Sequence, residues 1–401
     1  MTMFSSYGRV LSHPGALAFC SSALVARLPA STVGLGIVLL VEHRTGSYGL
    51  AGTVSAAYVL AQAVFALVHG KLIDAFGQWR VLPVAAAGFT ASLASMILSV
   101  ENDWPSALTY LFAALGGSFA PQIGACVRAR WSHVLTSRRE VQTAYALESV
   151  IDEFVFVVGP VLVTTLATLW QPAWALALAL TLGLVGTVSF AAQRHTAPPA
   201  RRRSSGNDVR PPMDWAALAP LAVVGLMQGA LFGVAEVATV AFADRAGSPG
   251  LSGPLLAMWA LGSMVGGLVA GTLTWRRGPQ VRVRVGMVAL TVLMVPTILV
   301  SSTWALGAVL LVAGLAIAPT MIATLTLVEL CVPAARLTEG MALIQTGLVA
   351  GVAPGAAIGG VLVDSHGPSA GFAVGVAACL LGAAAAQLLR PRRRSEADAV
   401  S

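Results

Sequence analysis

The sequence predicts an all-α integral membrane protein with twelve membrane-spanning helices, and three observations support that fold class. Hydrophobic residues make up 57% of the 401 positions and charged residues only 10%, whereas about a quarter of the residues of a soluble domain are charged. Twelve apolar runs reach the ~20 residues that a bilayer-spanning helix needs. The basic residues lie mostly in the gaps between these runs, so the net charge of +7 reflects topology, and no nucleic-acid surface is expected.

Charged residues and Gly or Pro breaks set the limits of the predicted helices. These helices are 15–41, 48–70, 81–100, 105–127, 142–169, 173–193, 214–242, 250–275, 284–302, 304–332, 338–363 and 369–389. The gaps and tails on one side hold 21 of the 24 basic residues, whereas the other side has only Arg44 and Arg245. The positive-inside rule therefore predicts two cytoplasmic termini in a multi-pass cell-membrane protein, with the bacterial inner membrane as the expected location.

One long polar stretch divides the chain. Residues 194–213 are rich in Pro, Ser and Arg and bury too little apolar surface to fold, so a flexible cytoplasmic linker is expected there. It separates an N-terminal bundle of six helices (1–193) from a C-terminal bundle of six (214–401) that ends in a basic cytoplasmic tail. The halves also repeat, because the stretch from Arg44 to Gly52 aligns with Arg245 to Gly253, and the same offset pairs Tyr58 with Trp259. A repeat in the same orientation predicts two bundles related by a pseudo-twofold axis along the membrane normal.

A short polar segment between the second and third predicted helices carries a recognisable pattern. It contains Gly70, Asp74, Gly77 and Arg80. Its glycines permit close backbone approach or left-handed turns, and its aspartate can accept hydrogen bonds from a neighbouring helix N-terminus. The pattern Gly-x-Leu-x-Asp-x-x-Gly-x-x-Arg resembles the loop signature of major facilitator superfamily transporters, although Arg80 alone keeps the basic character usual there. An ordinary polar turn is the alternative interpretation.

The resemblance to this superfamily covers nearly the whole chain and implies a central cavity that opens alternately to each side. It implies a small-molecule substrate, a lipid bilayer and protons as partners, a monomer, and no cofactor. The histidines and cysteines form no cluster with metal-ligand spacing, so no metal site is expected. The sequence has no phosphate-binding glycine loop with its lysine, and no arrangement that suits hydrolysis in a soluble region. A transporter driven by an ion gradient is therefore expected, not an enzyme.

Charged residues inside the predicted spans are the main candidates for chemistry. Arg27 lies ~18 Å along the first predicted helix, and Asp152 lies ~15 Å along the fifth, so both reach a similar depth. Glu148 and Asp152 are four residues apart and share a helix face, while Glu153 points elsewhere. Two acids on one face in a low dielectric oppose each other's ionisation. Two interpretations stay open: a proton-coupling site at Asp152, assisted by Glu148 or Glu153 and tuned by Arg27, or an ion pair with a purely structural role.

The fifth and eleventh predicted helices each combine Gly and Pro. Gly159-Pro160 resembles the core of the fifth-helix signature of drug–proton antiporters, although the glycine pair that normally follows is absent. Pro354-Gly355 repeats the combination in the eleventh helix. Such residues bend a helix or allow close helix contact.

Five further residues are candidate cavity-lining positions. Tyr58 and Trp259 either line the cavity or pack in the core, and Gln122 lies in the fourth helix. Gln228 aligns with Arg27 at the repeat offset. Glu236 lies ~31 Å along the seventh helix, where it either guards the outer cavity mouth or is wetted. Arg128 and Arg130 are assigned to the cytoplasmic boundary of the fourth helix.

The sequence as a whole predicts a secondary transporter that exports a small apolar or amphipathic compound, a drug or a metabolite, in exchange for protons. Three alternatives remain: a proton-coupled importer of a metabolite, a membrane receptor that does not transport, and an intramembrane enzyme.

Overall fold

The computed structural model describes residues 3–200, 213–272, 277–332 and 337–389, and within these ranges the regular structure is entirely helical. The helices are α1 (Met3–Leu11), α2 (Ala16–Thr45), α3 (Tyr48–Phe76), α4 (Gln78–Glu101), α5 (Ser106–Ser118), α6 (Ile123–Val134), α7 (Arg138–Leu169), α8 (Pro172–Ala192), α9 (Trp215–Arg245), α10 (Ser252–Thr272), α11 (Pro279–Met294), α12 (Thr303–Gly314), α13 (Ile317–Cys331), α14 (Leu337–His366) and α15 (Pro368–Gln387).

The twelve predicted spans are confirmed, since twelve stretches of the described residues are long and apolar enough to cross a membrane. Two of these spans consist of two helices each. The fourth span breaks between α5 and α6, where Pro121 has no N–H to donate. The tenth span breaks between α12 and α13, just after Gly314. The short helix α1 was not predicted, because nine residues are too few to register as an apolar run.

The predicted loop over 71–80 is wrong. Helix α3 continues to Phe76 and α4 begins at Gln78, so that Gly77 alone connects them. Its φ of 85° lies in the region that glycine adopts without steric cost, and one such residue reverses the chain. Gly70 is helical, and open space surrounds the position where a Cβ would stand. The expected close approach at Gly70 is therefore absent, and Asp74 lies inside the last turns of α3.

The two halves of the chain form two helical bundles, α2–α8 and α9–α15, whose internal contacts repeat. In the first bundle, Gly117 packs against the carbonyl oxygen of Tyr58, so closely that a Cβ would collide with it. In the second bundle, Gly314 packs in the same way against the carbonyl oxygen of Trp259. The residues that the sequence repeat pairs therefore occupy equivalent places, as a pseudo-twofold relation requires.

The bundles meet closely at the end that carries the loops near Gly46 and Gly247, called here the distal end. The opposite end, where α2 begins and α15 ends, is called the terminal end. Gly52 of α3 packs against the carbonyl oxygen of Ala356 of α14, and Gly253 of α10 packs against that of Pro160 of α7. Gly52 and Gly253 are partners in the sequence repeat. Two symmetry-related pairs of helices therefore hold the distal end closed.

Towards the terminal end, the side chains of α3 are less buried than in its distal half. Ala51 and Val54, in its distal half, are completely buried. By contrast, Val64 is 65% exposed and Leu67 is 58% exposed. The hydrogen bonds between the two bundles that the structure records in the described residues also lie at the distal end. The structure therefore represents a state that is closed at the distal end.

Candidate functional site

Arg27 of α2 lies at the centre of a buried ion cluster. Its side chain is only 6% exposed and reaches two carboxylates on α7. Nη2 donates to Oε2 of Glu148, and Nη1 donates to Oδ1 of Asp152 at 2.7 Å. Residues four apart lie on one face of a helix, so both acids point at the same arginine. The structure thus brings together three residues selected from the sequence.

Glu148 is fully buried, and both of its carboxylate oxygens accept hydrogen bonds. Besides Arg27, it accepts a hydrogen bond from Nε1 of Trp131 at 2.8 Å, and Sγ of Cys20 lies 3.5 Å from the same Oε1. The ring of Phe19 packs edge-on against Trp131 with centroids 4.6 Å apart. A buried carboxylate is tolerated only when a cation and hydrogen bonds compensate for the lost water. These contacts make Glu148 the structural anchor of the cluster.

Asp152 occupies a different setting, at the edge of the cluster. Its Oδ1 accepts from Arg27, and its Oδ2 accepts from Nη2 of Arg128 of α6 at 2.7 Å. The Asp152 side chain is 32% exposed and that of Arg128 is 40% exposed. Two arginines and two carboxylates make the cluster neutral when both acids are ionised. Asp152 is the member that joins three helices and remains accessible to water.

Glu153 lies outside this cluster. It follows Asp152 by one residue, which turns its side chain ~100° around the helix axis. The side chain is half-buried, and no hydrogen bond or ion pair joins it to the described residues. The structure therefore separates Glu153 from the two acids with which the sequence grouped it.

Arg128 and Arg130, which the sequence assigns to the cytoplasmic boundary of the fourth span, lie in the last turns of α6 at the terminal end, where other residues of the first bundle hold both of them. Arg130 is completely buried. Its guanidinium donates to Oε1 of Gln78, to Oγ1 of Thr196 and to the carbonyl oxygen of Phe190. It also lies 3.7 Å above the Phe190 ring. The planar fork of arginine suits such a set of acceptors, which holds the terminal ends of α4, α6 and α8 together.

The predicted gate motif lies at the terminal end. Asp74 is exposed and forms no hydrogen bond with the described residues. Within the part of the chain that the structure describes, Asp74 caps no neighbouring helix, and residues 333–336, just before α14, lie outside that part. Arg80 is exposed, and its guanidinium lies 4.5 Å from the ring centroid of Trp79.

The Gly and Pro residues of the fifth and eleventh spans lie where helices pack closely. Gly159 of α7 leaves room for Ser31 and Thr32 of α2, because a Cβ there would collide with Oγ of Ser31. Pro160, inside α7, contributes the carbonyl oxygen that meets α10. Gly355 packs in the same way against Ala230 of α9, while Pro354 beside it is exposed. Both helices continue through these positions, so close contact is the role that the structure records.

The cavity-lining candidates divide into two groups. Tyr58 is buried inside the first bundle, where its ring packs 6.4 Å from that of Phe89, and Gln122 caps α6 while donating to the carbonyl oxygen of Ala120. The other three candidates (Gln228, Glu236 and Trp259) belong to α9 and α10, and each carries a buried polar atom that has no partner among the described residues.

No group of three or more metal-ligating side chains occurs in the ranges that the structure describes. None of the four cysteines, all of which lie in the described ranges, forms a disulfide bond.

Comparison with known proteins identifies the family. The model of the Major Facilitator Superfamily matches residues 19–329 and 221–401. The chain belongs to the Major Facilitator Superfamily. As a member of that superfamily it is a multi-pass membrane transporter for a small molecule. The structure of the nucleoside transporter NupG resembles it with a TM-score of 0.74 at 12% identity, over 93% of this chain and 100% of NupG. The similarity to NupG shows the fold alone. A search of curated proteins finds no match.

Sequence reasoning missed three members of the ion cluster in this superfamily member. Trp131 and Cys20 donate to Glu148, and Arg128 holds Asp152. For Arg128 a signal existed, because the fourth span runs towards the terminal end and the fifth span begins there. A basic residue near the end of one and an acid near the start of the other lie at comparable depth. Nothing in the spacing of Trp131 or Cys20 singles them out.

Proposed function

We propose that this transporter couples export of a small apolar or amphipathic compound to the inward movement of protons, and that Asp152 carries the proton. One observation supports this best: Asp152 accepts hydrogen bonds from both Arg27 and Arg128 while its side chain remains partly exposed. A carboxylate that changes between ionised and protonated forms must exchange protons with water. Glu148 is sealed off from water, whereas Asp152 has access.

The ion cluster couples a proton to a change in helix packing. When Asp152 is ionised, it holds α2 and α6 against α7 through two charge-assisted hydrogen bonds, which are stronger than bonds between neutral groups. When it is protonated, the cluster carries one excess positive charge, and both arginine contacts weaken. Glu148 still joins the three helices through Arg27 and Trp131, so protonation loosens their packing most where Arg128 of α6 loses its charged partner on α7.

Helix α7 connects the cluster to the closure of the distal end. Eight residues after Asp152, the same helix carries Pro160, whose carbonyl oxygen packs against Gly253 of α10. Eight residues correspond to ~12 Å of helix. A shift of α7 at the cluster therefore moves one of the two helix pairs that close the distal end. Protonation and alternating access are linked through this one rigid element.

The test requires a substrate, which a screen of antibiotics and dyes in an efflux-deficient host provides, run with and without a protonophore. Proton-driven uptake into inverted vesicles is then measured across a pH series. Asp152→Asn fixes a neutral side chain, so we expect gradient-driven uptake to fall at least tenfold and to lose its pH dependence. Glu153→Gln, one residue away and outside the cluster, is the matched control and should retain uptake.

The alternatives give different results in the same assay. If Asp152→Asn transports with the pH dependence of the unmodified protein, the cluster is only an ion pair with a structural role. Uptake that occurs in right-side-out cells and not in inverted vesicles identifies an importer. Substrate binding without transport in either direction identifies a receptor.

We further propose that the terminal end is cytoplasmic and that the protein resides in the bacterial inner membrane, because the basic residues gather at that end. Reporter fusions after Arg44 and Arg245 should then be external, and a fusion after Arg203 internal. Finding positions 44 and 203 on the same side would overturn this orientation.

Two bodies would move during transport, the first bundle (1–193) and the second bundle (214–401). The linker (194–213) would connect them. Residues 201–212 of the linker and 390–401 of the basic tail lie outside the described residues.

A further inference from the structure

One face of α9 carries three buried polar atoms that have no hydrogen-bond partner among the described residues. They are Nε2 of Gln228, Oε1 of Glu236 and Oγ1 of Thr239. Trp259 of α10 adds a fourth, its Nε1. Buried polar groups are almost always hydrogen-bonded, so each exception requires an explanation. These four atoms, on two contacting helices, are available to form hydrogen bonds with a ligand or with water.

The packing of α9 shows where this face points. Gly225, Gly229 and Gly233, at a spacing of four, lie against α14. Leu231 and Ala238 lie against Gly375 and Gly371 of α15. With 100° between successive residues, Gln228 and Thr239 lie between these two contact faces, whereas Glu236 lies within ~20° of Gly225 and Gly229 and follows Gly229 by about two turns towards the distal end. The ring contact of Phe232 with Trp259 of α10 and the approach of Glu236 to Gly34 of α2 show that this part of α9 also meets α10 and the first bundle.

Glu236 reaches the boundary between the two bundles. Its Oε1 lies close to Gly34 of α2, where an added Cβ would stand 3.2 Å away. Gly34 is seven residues beyond Arg27, which corresponds to ~10 Å along α2, so this place is separate from the ion cluster. None of the ion pairs recorded among the described residues includes Glu236. No cation of the described residues pairs with this carboxylate.

Two aromatic rings accompany the carboxylate. Phe232 precedes Glu236 by one helical turn, and its ring meets that of Trp259 edge-on with centroids 5.3 Å apart. Trp259 is 7% exposed, whereas Phe232 and Glu236 are partly exposed. Part of the carboxylate and part of the phenyl ring are therefore accessible, whereas the indole ring is nearly fully buried.

We propose that Gln228, Phe232, Glu236 and Trp259 form a substrate subsite for an organic cation that carries a planar apolar group. This proposal rests on the proposed transport function and specifies its substrate class. The positive charge of the ligand neutralises Glu236, and an N–H group of the ligand donates to the carboxylate. The planar group packs against the two rings, whose electron-rich faces also attract a positive charge. An acceptor on the ligand satisfies the Trp259 Nε1–H.

The experiment measures binding of ethidium, a planar aromatic cation with two amino groups, to the purified full-length protein by fluorescence anisotropy. Two competitors share one ring system: 1-naphthylmethylamine, which is cationic at neutral pH, and 1-naphthylmethanol, which is neutral. We expect the amine to displace ethidium at a concentration at least tenfold lower than the alcohol does. Glu236→Gln keeps the shape and removes the charge, and should raise the Kd for ethidium at least tenfold.

Two further variants complete the test. Phe232→Leu should raise the Kd at least threefold, because it removes a ring and keeps the bulk. Asp244→Asn removes an exposed acid from the same helix and should change the Kd for ethidium by less than twofold. Binding that is unchanged in Glu236→Gln, or equal displacement by amine and alcohol, overturns the proposal. Gradient-driven transport by Asp152→Asn is measured separately. If this variant still transports, proton coupling at Asp152 is overturned, but a binding result that depends on Glu236 remains valid.

Discussion

Asp364, in the last turn of α14, accepts a hydrogen bond from the main-chain N–H of Gly49, in the first turn of α3, at 2.7 Å. The same carboxylate accepts from the N–H of Tyr48 and from the hydroxyl of Ser47, both also at 2.7 Å. The first N–H groups of a helix have no partner within the helix and carry a partial positive charge. The second bundle therefore caps a helix of the first, and this cap holds the distal end closed.

Asp364→Asn should favour opening of the distal end. The amide cannot accept three such bonds with the strength of a carboxylate, and loss of a helix cap costs about 0.5–2 kcal/mol. We expect the closed population to fall by up to roughly tenfold relative to the open one, since 1.4 kcal/mol corresponds to a factor of ten. Spin labels at Asn102 and Ser301, one exposed position in each bundle near the distal end, report the separation by electron–electron distance measurement.

The matched control for the cap is Asp103→Asn. Asp103 is an exposed acid at the same end, and Asn tolerates its positive φ of 52°. An identical distance distribution for the Asp364 and Asp103 variants would mean that the cap does not contribute to closure.

Gly52→Leu and Gly253→Leu should each prevent full closure of the distal end. A side chain at either position meets a carbonyl oxygen of the other bundle, which cannot rotate away as a side-chain tip can. Overpacking of this kind costs about 1–3 kcal/mol. The spin-label distances at the distal end should lengthen in both variants, and the pseudo-twofold relation predicts effects of similar size.

Gly70→Ala serves as the control for these two variants, because open space surrounds that position and alanine has the higher helix propensity. If the distances in Gly52→Leu equal those in Gly70→Ala, the tight contact is not what limits closure.

Glu148→Ala should destabilise the first bundle strongly. It leaves the buried Arg27 with only the partly exposed Asp152, and removes the acceptor of Trp131 Nε1. Breaking a buried ion pair by removing one partner costs about 3–5 kcal/mol. The apparent midpoint of thermal unfolding in detergent should fall clearly, whereas Glu153→Ala should change it little. Equal midpoints for the two variants would contradict the anchoring role of Glu148.

Much of the fold follows from the sequence because the bilayer imposes one dominant requirement. Apolar length predicts the twelve spans, and a repeat of small residues from Gly46 to Gly52 predicts the second bundle. The exact turns do not follow from it. A single glycine, Gly77, reverses the chain where a loop of ten residues was expected, because its positive φ is available without any polar spacer.

The ion cluster, too, could be predicted from the sequence only in part. Depth along a helix is readable from residue counts, and it brings Arg27 near Asp152. Burial of a neighbour is not readable in this way, so Arg128 and Trp131 of α6 were missed. The break between α5 and α6 sets the rotation of α6, and therefore which of its side chains face α7. Such a rotation depends on packing against several helices at once, which periodicity does not record.

The contacts of α6 also have a consequence for biogenesis. The span from Ser106 to Val134 has a mean hydropathy of 1.3, the lowest of the twelve, and it carries Arg128 and Arg130. The partners of these arginines, Asp152 and Thr196, are synthesised later. An arginine that enters hydrocarbon unpaired is costly. Arg128 therefore gains its carboxylate partner only after the fifth span has been synthesised, and Arg130 gains Phe190 and Thr196 only after the sixth.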